Sequence, residues 1–200
     1  VRQARSDGER SRSAIVAEAA KLATVEGIDG LSISRLATAV GMSKSGLFAH
    51  FGSKEELQLA TIDAAEEIFR RQVLEPADAA DTGIERLRRL CEGYLAYLED
   101  DTFPGGCFFA SVLAEVDMQP GPVRDRLVAF LTDWRGRLHA AAREAQAEGA
   151  IDPDQDVDQV VFEIQAALLL ANTQHVVSRA PTPIEQARRA IARCAGLTVD

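Results

Sequence analysis

Leu31-Ser-Ile-Ser-Arg-Leu-Ala-Thr-Ala-Val-Gly-Met-Ser-Lys-Ser-Gly-Leu-Phe-Ala-His-Phe-Gly-Ser-Lys-Glu-Glu-Leu57 spells two short helices, a glycine turn between them and a capped helix to follow. Ser32 is placed to cap the first, in which Ile33, Leu36, Ala37 and Val40 recur at helical spacing on one face. Gly41 ends it, because glycine tolerates the left-handed backbone that a short interhelical turn often demands. Met42 plugs the turn, and Ser43 reopens a helix over Lys44 to His50 as its cap. On that helix Leu47 and Phe48, with Phe51 just beyond, are expected to face inward as core, leaving Lys44, Ser45, Ala49 and His50 outside. Ser53-Lys-Glu-Glu56 then forms a capping box, in which the serine side chain and a glutamate three residues on satisfy each other's orphan backbone donors. Two short helices at a tight turn make a helix-turn-helix, a geometry that lays the second helix in a DNA groove.

The balance of charge at first argues against a nucleic-acid partner, since 22 Lys and Arg face 31 Asp and Glu. Its distribution along the chain argues the other way: residues 1–54 hold eight basic against five acidic side chains, a net +3, and the remainder carries −12. A basic patch on an acidic body suits DNA binding, because phosphate contacts are local while the rest of the surface sets solubility. With 46% hydrophobic residues in 200, the chain can bury a substantial core. No stretch approaches the roughly 20 continuous apolar residues of a membrane span, and the Arg-bearing N-terminus lacks the apolar core of a signal peptide. A cytoplasmic protein with no membrane partner is therefore expected. Cys91, Cys107 and Cys194 are odd in number and widely spaced, which encodes neither a disulfide framework nor a zinc site. A helix-start thiolate gives Cys107 a conceivable redox role, but a buried structural cysteine is the simpler reading.

Helical periodicity runs through the rest of the chain, and no strand pattern or repeat competes with an all-α reading. Residues 1–9 read as a polar arm, disordered until DNA is present, followed by a helix over about 11–26. The helix opened by Ser53 is expected to run to about Leu74 and stop at Pro76. Further helices are placed at about 84–99, 106–116, 122–148, 157–179 and 183–195, separated by Gly and Pro clusters. The run Val160-Val-Phe-Glu-Ile-Gln-Ala-Ala-Leu-Leu-Leu-Ala-Asn172 is apolar around most of its circumference, so it needs cover from its own core and from a partner. With Ile184, Ala187, Ala190, Ile191 and Cys194 on the last helix, it is expected to give a two-helix contribution to a four-helix homodimer interface.

The turn Ala37-Thr-Ala-Val-Gly-Met-Ser43 and the block Phe48-Ala-His-Phe-Gly-Ser-Lys-Glu55 resemble the DNA-binding domain of the TetR family of bacterial repressors, over residues 10–62. The resemblance implies an N-terminal three-helix helix-turn-helix DNA-binding domain followed by a helical ligand-binding and dimerisation domain. On this chain that division reads as 1–52 for DNA binding, 53–75 for a linking fourth helix, and 76–200 for ligand and dimer contacts. The family usually has tyrosine where Phe48 stands and a larger polar residue at Ala49, so two contacts to DNA are missing here.

The expected partner is therefore a double-stranded, palindromic DNA operator, read by Arg35, Ser43, Lys44, Ser45, Gly46, His50 and Lys54. Phosphate or base contacts are assigned to Lys44 and Lys54 at helix N-termini, a phosphate contact to His50 and a backbone contact to Arg35. Polar residues stranded among apolar ones mark a pocket for an unknown small-molecule effector: Gln159, Glu163, Asn172 and His175, walled by Tyr94, Tyr97, Phe108, Phe109, Met118 and Trp134. Most of those side chains also suit an ordinary core. Together these features read as a repressor released from its operator by a largely apolar ligand. Alternatives are an activator, a regulator controlled by a protein partner, or a carrier or enzyme with a relic helix-turn-helix. Catalysis has little support in the sequence: there is no phosphate-binding glycine loop, no His-x-x-x-His pair and no nucleophile beside a base, and His50, His139 and His175 are scattered. No cofactor or metal is expected.

Overall fold

The computed structural model describes residues 2–116 and 120–196, and the regular structure among them is helical. In chain order the helices are α1 (Arg2–Glu26), α2 (Ile33–Ala39), α3 (Lys44–Phe48), α4 (Lys54–Phe69), α5 (Glu75–Asp78), α6 (Gly83–Glu99), α7 (Phe108–Val116), α8 (Pro122–Ala147), α9 (Val157–Ser178) and α10 (Thr182–Ala195). The chain divides into two compact units, one of Val1–Ile68 with Phe103–Ala129, the other of Phe69–Thr102 with Phe130–Asp200.

The first unit is built on the apolar spacing of its short helices. Ile15, Ala19 and Ala23 of α1, Leu36 of α2, Leu47 of α3 and Leu57 and Ile62 of α4 are buried together with Ile28, Leu31 and Phe51. Each such large side chain contributes about 1.5–3 kcal/mol on burial. Ser32 and Ser43 cap α2 and α3 as their positions imply, accepting from Arg35 N and Gly46 N, and Gly41 has the left-handed φ of +67°. Arg12 lies over the Phe51 ring at 4.8 Å. The same unit includes α7, which packs on α1, and Arg126 at the start of α8 pairs with Asp63 and Glu66 of α4.

In the second unit, Phe69 sits among Tyr94, Tyr97, Phe130 and Trp134 in edge-to-face contacts with centroids 5.2–6.1 Å apart. Helices α9 and α10 pack along one another, and Arg188 ties α10 to α6 through Glu92 at 2.8 Å and Glu99 at 3.5 Å. All three cysteines are free; Cys91 and Cys107 are buried and Cys194 partly so. Burial pushes the Cys91 thiol far up and the Cys194 thiol up to about 11, so neither is a ready thiolate.

Several expectations are corrected. Helix α1 begins at Arg2, so the N-terminal arm is helical where the sequence predicts a disordered segment. Pro76 does not stop α4: a π-helical turn, Arg70–Leu74, with Glu75 N bonding to Arg70 O, lets the helical path continue into α5 with the proline in its first turn, where its missing N–H is tolerated. Phe48 is 51% exposed instead of core. Leu47 and Phe51, four residues apart, take the inner face, and the intervening position is rotated away from it. Finally, α9 is long and apolar enough to cross a membrane on length and composition alone. Its Val160, Val161, Ile164, Leu168 and Ala171 are nonetheless buried within this unit.

Candidate nucleic-acid interface and effector site

The α2–α3 turn carries the predicted DNA contacts. Ser43 Oγ accepts from Gly46 N at 3.0 Å and lies 3.2 Å from Ser45 Oγ, so the first turn of α3 is capped before any DNA arrives. Ser43, Lys44 and Ser45 are exposed and Gly46 half-buried, which places the polar groups of the capped α3 N-terminus on the surface together. His50 is half-buried beyond the end of α3 with its ring 6.4 Å from that of Phe51. Arg35 is exposed on α2 and paired with Glu26 at 2.7 Å. Lys54 opens α4, but its Nζ donates to Asp29 O at 2.6 Å, so in this state the ammonium is held on the turn after α1. The capping box also differs in detail: Ser53 Oγ accepts from Glu56 N at 3.0 Å, whereas Glu56 reaches past Ser53 to accept from Gly52 N at 2.9 Å.

The predicted effector residues are distributed over both units. Tyr94, Tyr97 and Trp134 belong to the Phe69 cluster of the second unit, with the Tyr94 and Trp134 rings stacked at 6.1 Å. Phe69 and Phe130 escape sequence reading, since isolated aromatics on two distant helices give no periodic signal. Phe108 and Phe109 are buried in the first unit, where Phe108 lies 6.0 Å from Phe103 and 5.3 Å from Phe109. Gln159 and Glu163 are exposed on α9 and hydrogen-bonded to each other at 2.8 Å. Asn172 is buried on the inner side of α9. His175 is buried too, and its Nδ1 donates to Ala180 O at 3.0 Å, closing the corner between α9 and α10. Met118 lies outside the described residues.

Two cavities open on the second unit. One of about 680 Å³ lies between α8 and α9, edged by Arg135, His139, Arg143, Asp158 and Phe162; another of about 460 Å³ sits at the α9–α10 corner, edged by Gln174, Val177 and Pro183. Among the described residues no three His, Cys, Asp or Glu side chains come together as a metal site.

The outer face of α9 is the apolar counterpart of the α3 surface. Phe162, Leu169 and Leu170 are each more than half exposed and Val177 is 84% exposed, all on one helix. On α10, by contrast, Ile184, Ala187 and Ile191 are already buried within the unit, so they are not free to face a partner as expected.

A capped helix-turn-helix in an all-helical chain defines a DNA-binding regulator fold. Residues 15–61 match the model of the bacterial regulatory proteins of the tetR family, and residues 83–191 match the tetracyclin repressor-like C-terminal domain; the chain belongs to the tetR family. It is 27% identical to the transcriptional regulator AcuR of Cereibacter sphaeroides over 68% of its length and 62% of that protein's. It is 28% identical to the HTH-type transcriptional regulator TcmR of Streptomyces glaucescens over 74% of its length and 64% of that protein's. The chain thus spans less than two thirds of the length of these curated relatives. Among solved structures it resembles a TetR transcriptional regulator from Chloroflexus aurantiacus, with a TM-score of 0.83 at 28% identity, covering 95% of this chain and 94% of that one.

Proposed function

We propose that this protein is a sequence-specific DNA-binding transcriptional regulator, a repressor released from a palindromic operator by a small, largely apolar ligand. The observation that carries the reading is the exposed, pre-capped N-terminal turn of α3, where Ser43, Lys44 and Ser45 present hydroxyls and an ammonium together, with Gly46 N held in the Ser43 cap. Arg35, His50 and Lys54 are assigned to the DNA backbone around it. Residues 1–52 serve DNA binding, 53–75 link, and 76–200 hold the effector and dimer contacts, with Phe103–Ala129 lying in the same compact unit as the DNA-binding helices. The buried aromatic clusters favour an apolar effector.

The protein acts as a homodimer, because the apolar outer face of α9 is more than a solitary surface helix would carry and two-fold symmetric half-sites need two heads. Half-sites about one helical turn apart, roughly 34–36 Å, make binding sensitive to the separation of the heads. Effector and operator then oppose each other reciprocally. Such a regulator works in the cytoplasm and is not an enzyme.

The test is selection from a pool of randomised duplex DNA with the full chain. An enriched palindrome whose binding weakens steeply with salt is the expected outcome. Failure of folded protein to enrich any sequence at low salt would move a carrier or enzyme reading to the front.

A further inference from the structure

The turn Gly27–Asp29, which leaves α1, is gripped from two elements. From α7, Glu115 accepts twice: Oε2 from Ile28 N at 2.7 Å and Oε1 from Asp29 N at 2.9 Å. From the start of α4, Gln58 Nε2 donates to Ile28 O at 3.1 Å and to Asp29 Oδ1 at 2.9 Å, and Lys54 Nζ donates to Asp29 O. Gly27 has φ +80°, and a Cβ there would lie 2.5–2.7 Å from the Glu115 carboxylate, so both the backbone and the carboxylate require glycine. The loop leading into α7 holds α1 as well, with Gly105 N donating to Thr24 Oγ1 at 3.1 Å. A carboxylate that satisfies two consecutive backbone donors 86 and 87 residues away in sequence fixes a turn far more firmly than one surface ion pair.

We propose that Glu115 is a positioning residue for DNA reading, a role that rests on the regulator function above. It sets the Gly27–Asp29 turn, and that turn in turn holds Lys54, a residue assigned to a DNA phosphate, and Gln58 at the head of α4. Glu115 lies seven residues after Phe108 on α7, about 10 Å along the helix axis, in the same compact unit as the turn that it holds. The coupling runs through charge-assisted hydrogen bonds within one compact unit.

The decisive variant is Glu115→Gln, which keeps the side chain's size but turns an NH2 toward one of the two backbone N–H groups. The full-length protein, wild type and variant, is compared by amide hydrogen exchange across residues 20–35 and by affinity for the selected operator and for random duplex. The expected result is at least about tenfold faster exchange of the Ile28 and Asp29 amides. Operator affinity should fall at least about fivefold while random-duplex affinity changes less than about twofold. Glu115→Asp, too short to reach both amides, should lie between the two. A purely structural residue would lower the thermal midpoint and leave the operator-to-random ratio alone. Faster exchange with an unchanged ratio, or unchanged exchange, overturns the proposal. If Glu115→Gln fails to fold, Gln58→Ala loosens the same turn from α4, and an unchanged ratio there overturns it equally. If the wild type selects no operator, the regulator reading itself fails, and the role of Glu115 falls with it, while normal exchange protection of Ile28 and Asp29 keeps that failure distinguishable from loss of the grip.

Discussion

The first turn of α3 and the outer face of α9 are both left open to solvent, yet one is polar and capped and the other is apolar and bare. In the first turn of α3 the exposed groups are the cap Ser43 with Lys44 and Ser45, whose donors suit phosphates and base edges; the exposed apolar groups of α9 are Phe162, Leu169, Leu170 and Val177, which suit another apolar surface. Exposure alone therefore does not identify a functional surface; its chemistry does. Water solvates the first at little cost, whereas the second leaves four large apolar side chains wet, and relief of that cost is the drive to associate.

The contrast is broken most severely at α9. Leu170→Glu places a charge in the proposed dimer contact, and the dimer dissociation constant should rise by about 100-fold, near 3 kcal/mol, with operator binding lost alongside it. Sedimentation of variant and wild type over a concentration series checks this; an unchanged constant would remove α9 from the interface. At the α3 surface, Lys44→Ala should weaken operator binding by about tenfold, lower the slope of log affinity on log salt by about 1, and leave dimerisation untouched. Equal loss of both properties contradicts the separation of the two surfaces. A smaller effect is expected from Phe48→Tyr: the ring edge already reaches solvent, so the hydroxyl should raise operator affinity by about two- to threefold, measured by titration of labelled duplex.

The smallest effect lies away from both surfaces. Hydrogen bonds from Arg88 and then Arg89 hold the Glu85 carboxyl down at about 2, from an ordinary 4.5. Because the folded value is depressed, that pairing stabilises the fold above the ordinary carboxylate value and loses its contribution as pH falls through about 2. Glu85→Gln should therefore flatten slightly the fall in melting temperature between pH 5 and pH 3 while leaving operator affinity at pH 7 unchanged. A wild-type slope in the variant would show that the pairing adds nothing measurable.

Much of this is legible in the residues. Ser32, Gly41, Ser43 and Ser53 punctuate the head in the order that caps and turns require, and the structure places α2, α3 and α4 accordingly. Local signals of this kind survive because a cap acts within one turn of helix. The limits of α8 and α10 follow from Gly and Pro in the same way, through Gly121, Pro122 and Gly149 for the one and Pro183 and the left-handed Gly196 for the other, whereas α6 and α9 are capped by Thr82 and Asp156 at their starts and α9 closes on a left-handed Arg179. Phe48 defeats the pattern because periodicity over a five-residue helix does not resolve which of two adjacent apolar residues faces in. The effector candidates scatter for another reason: pocket lining and packed core share a composition, so Gln159 and Glu163 are surface, and Phe108 and Trp134 fall in different units.

Residue order is thus sufficient for an all-helical chain with a capped helix-turn-helix, a charge division favouring DNA at one end, and one helix too apolar for a lone surface element. Only packing in three dimensions settles that Phe103–Ala129 lies with the head, that Phe69 gathers four other aromatic rings, and that Glu115 reaches Ile28 and Asp29. The reason is range: caps, turns and helical faces are set by neighbours within a few residues, whereas a carboxylate meeting an amide 87 residues away depends on how the whole unit packs.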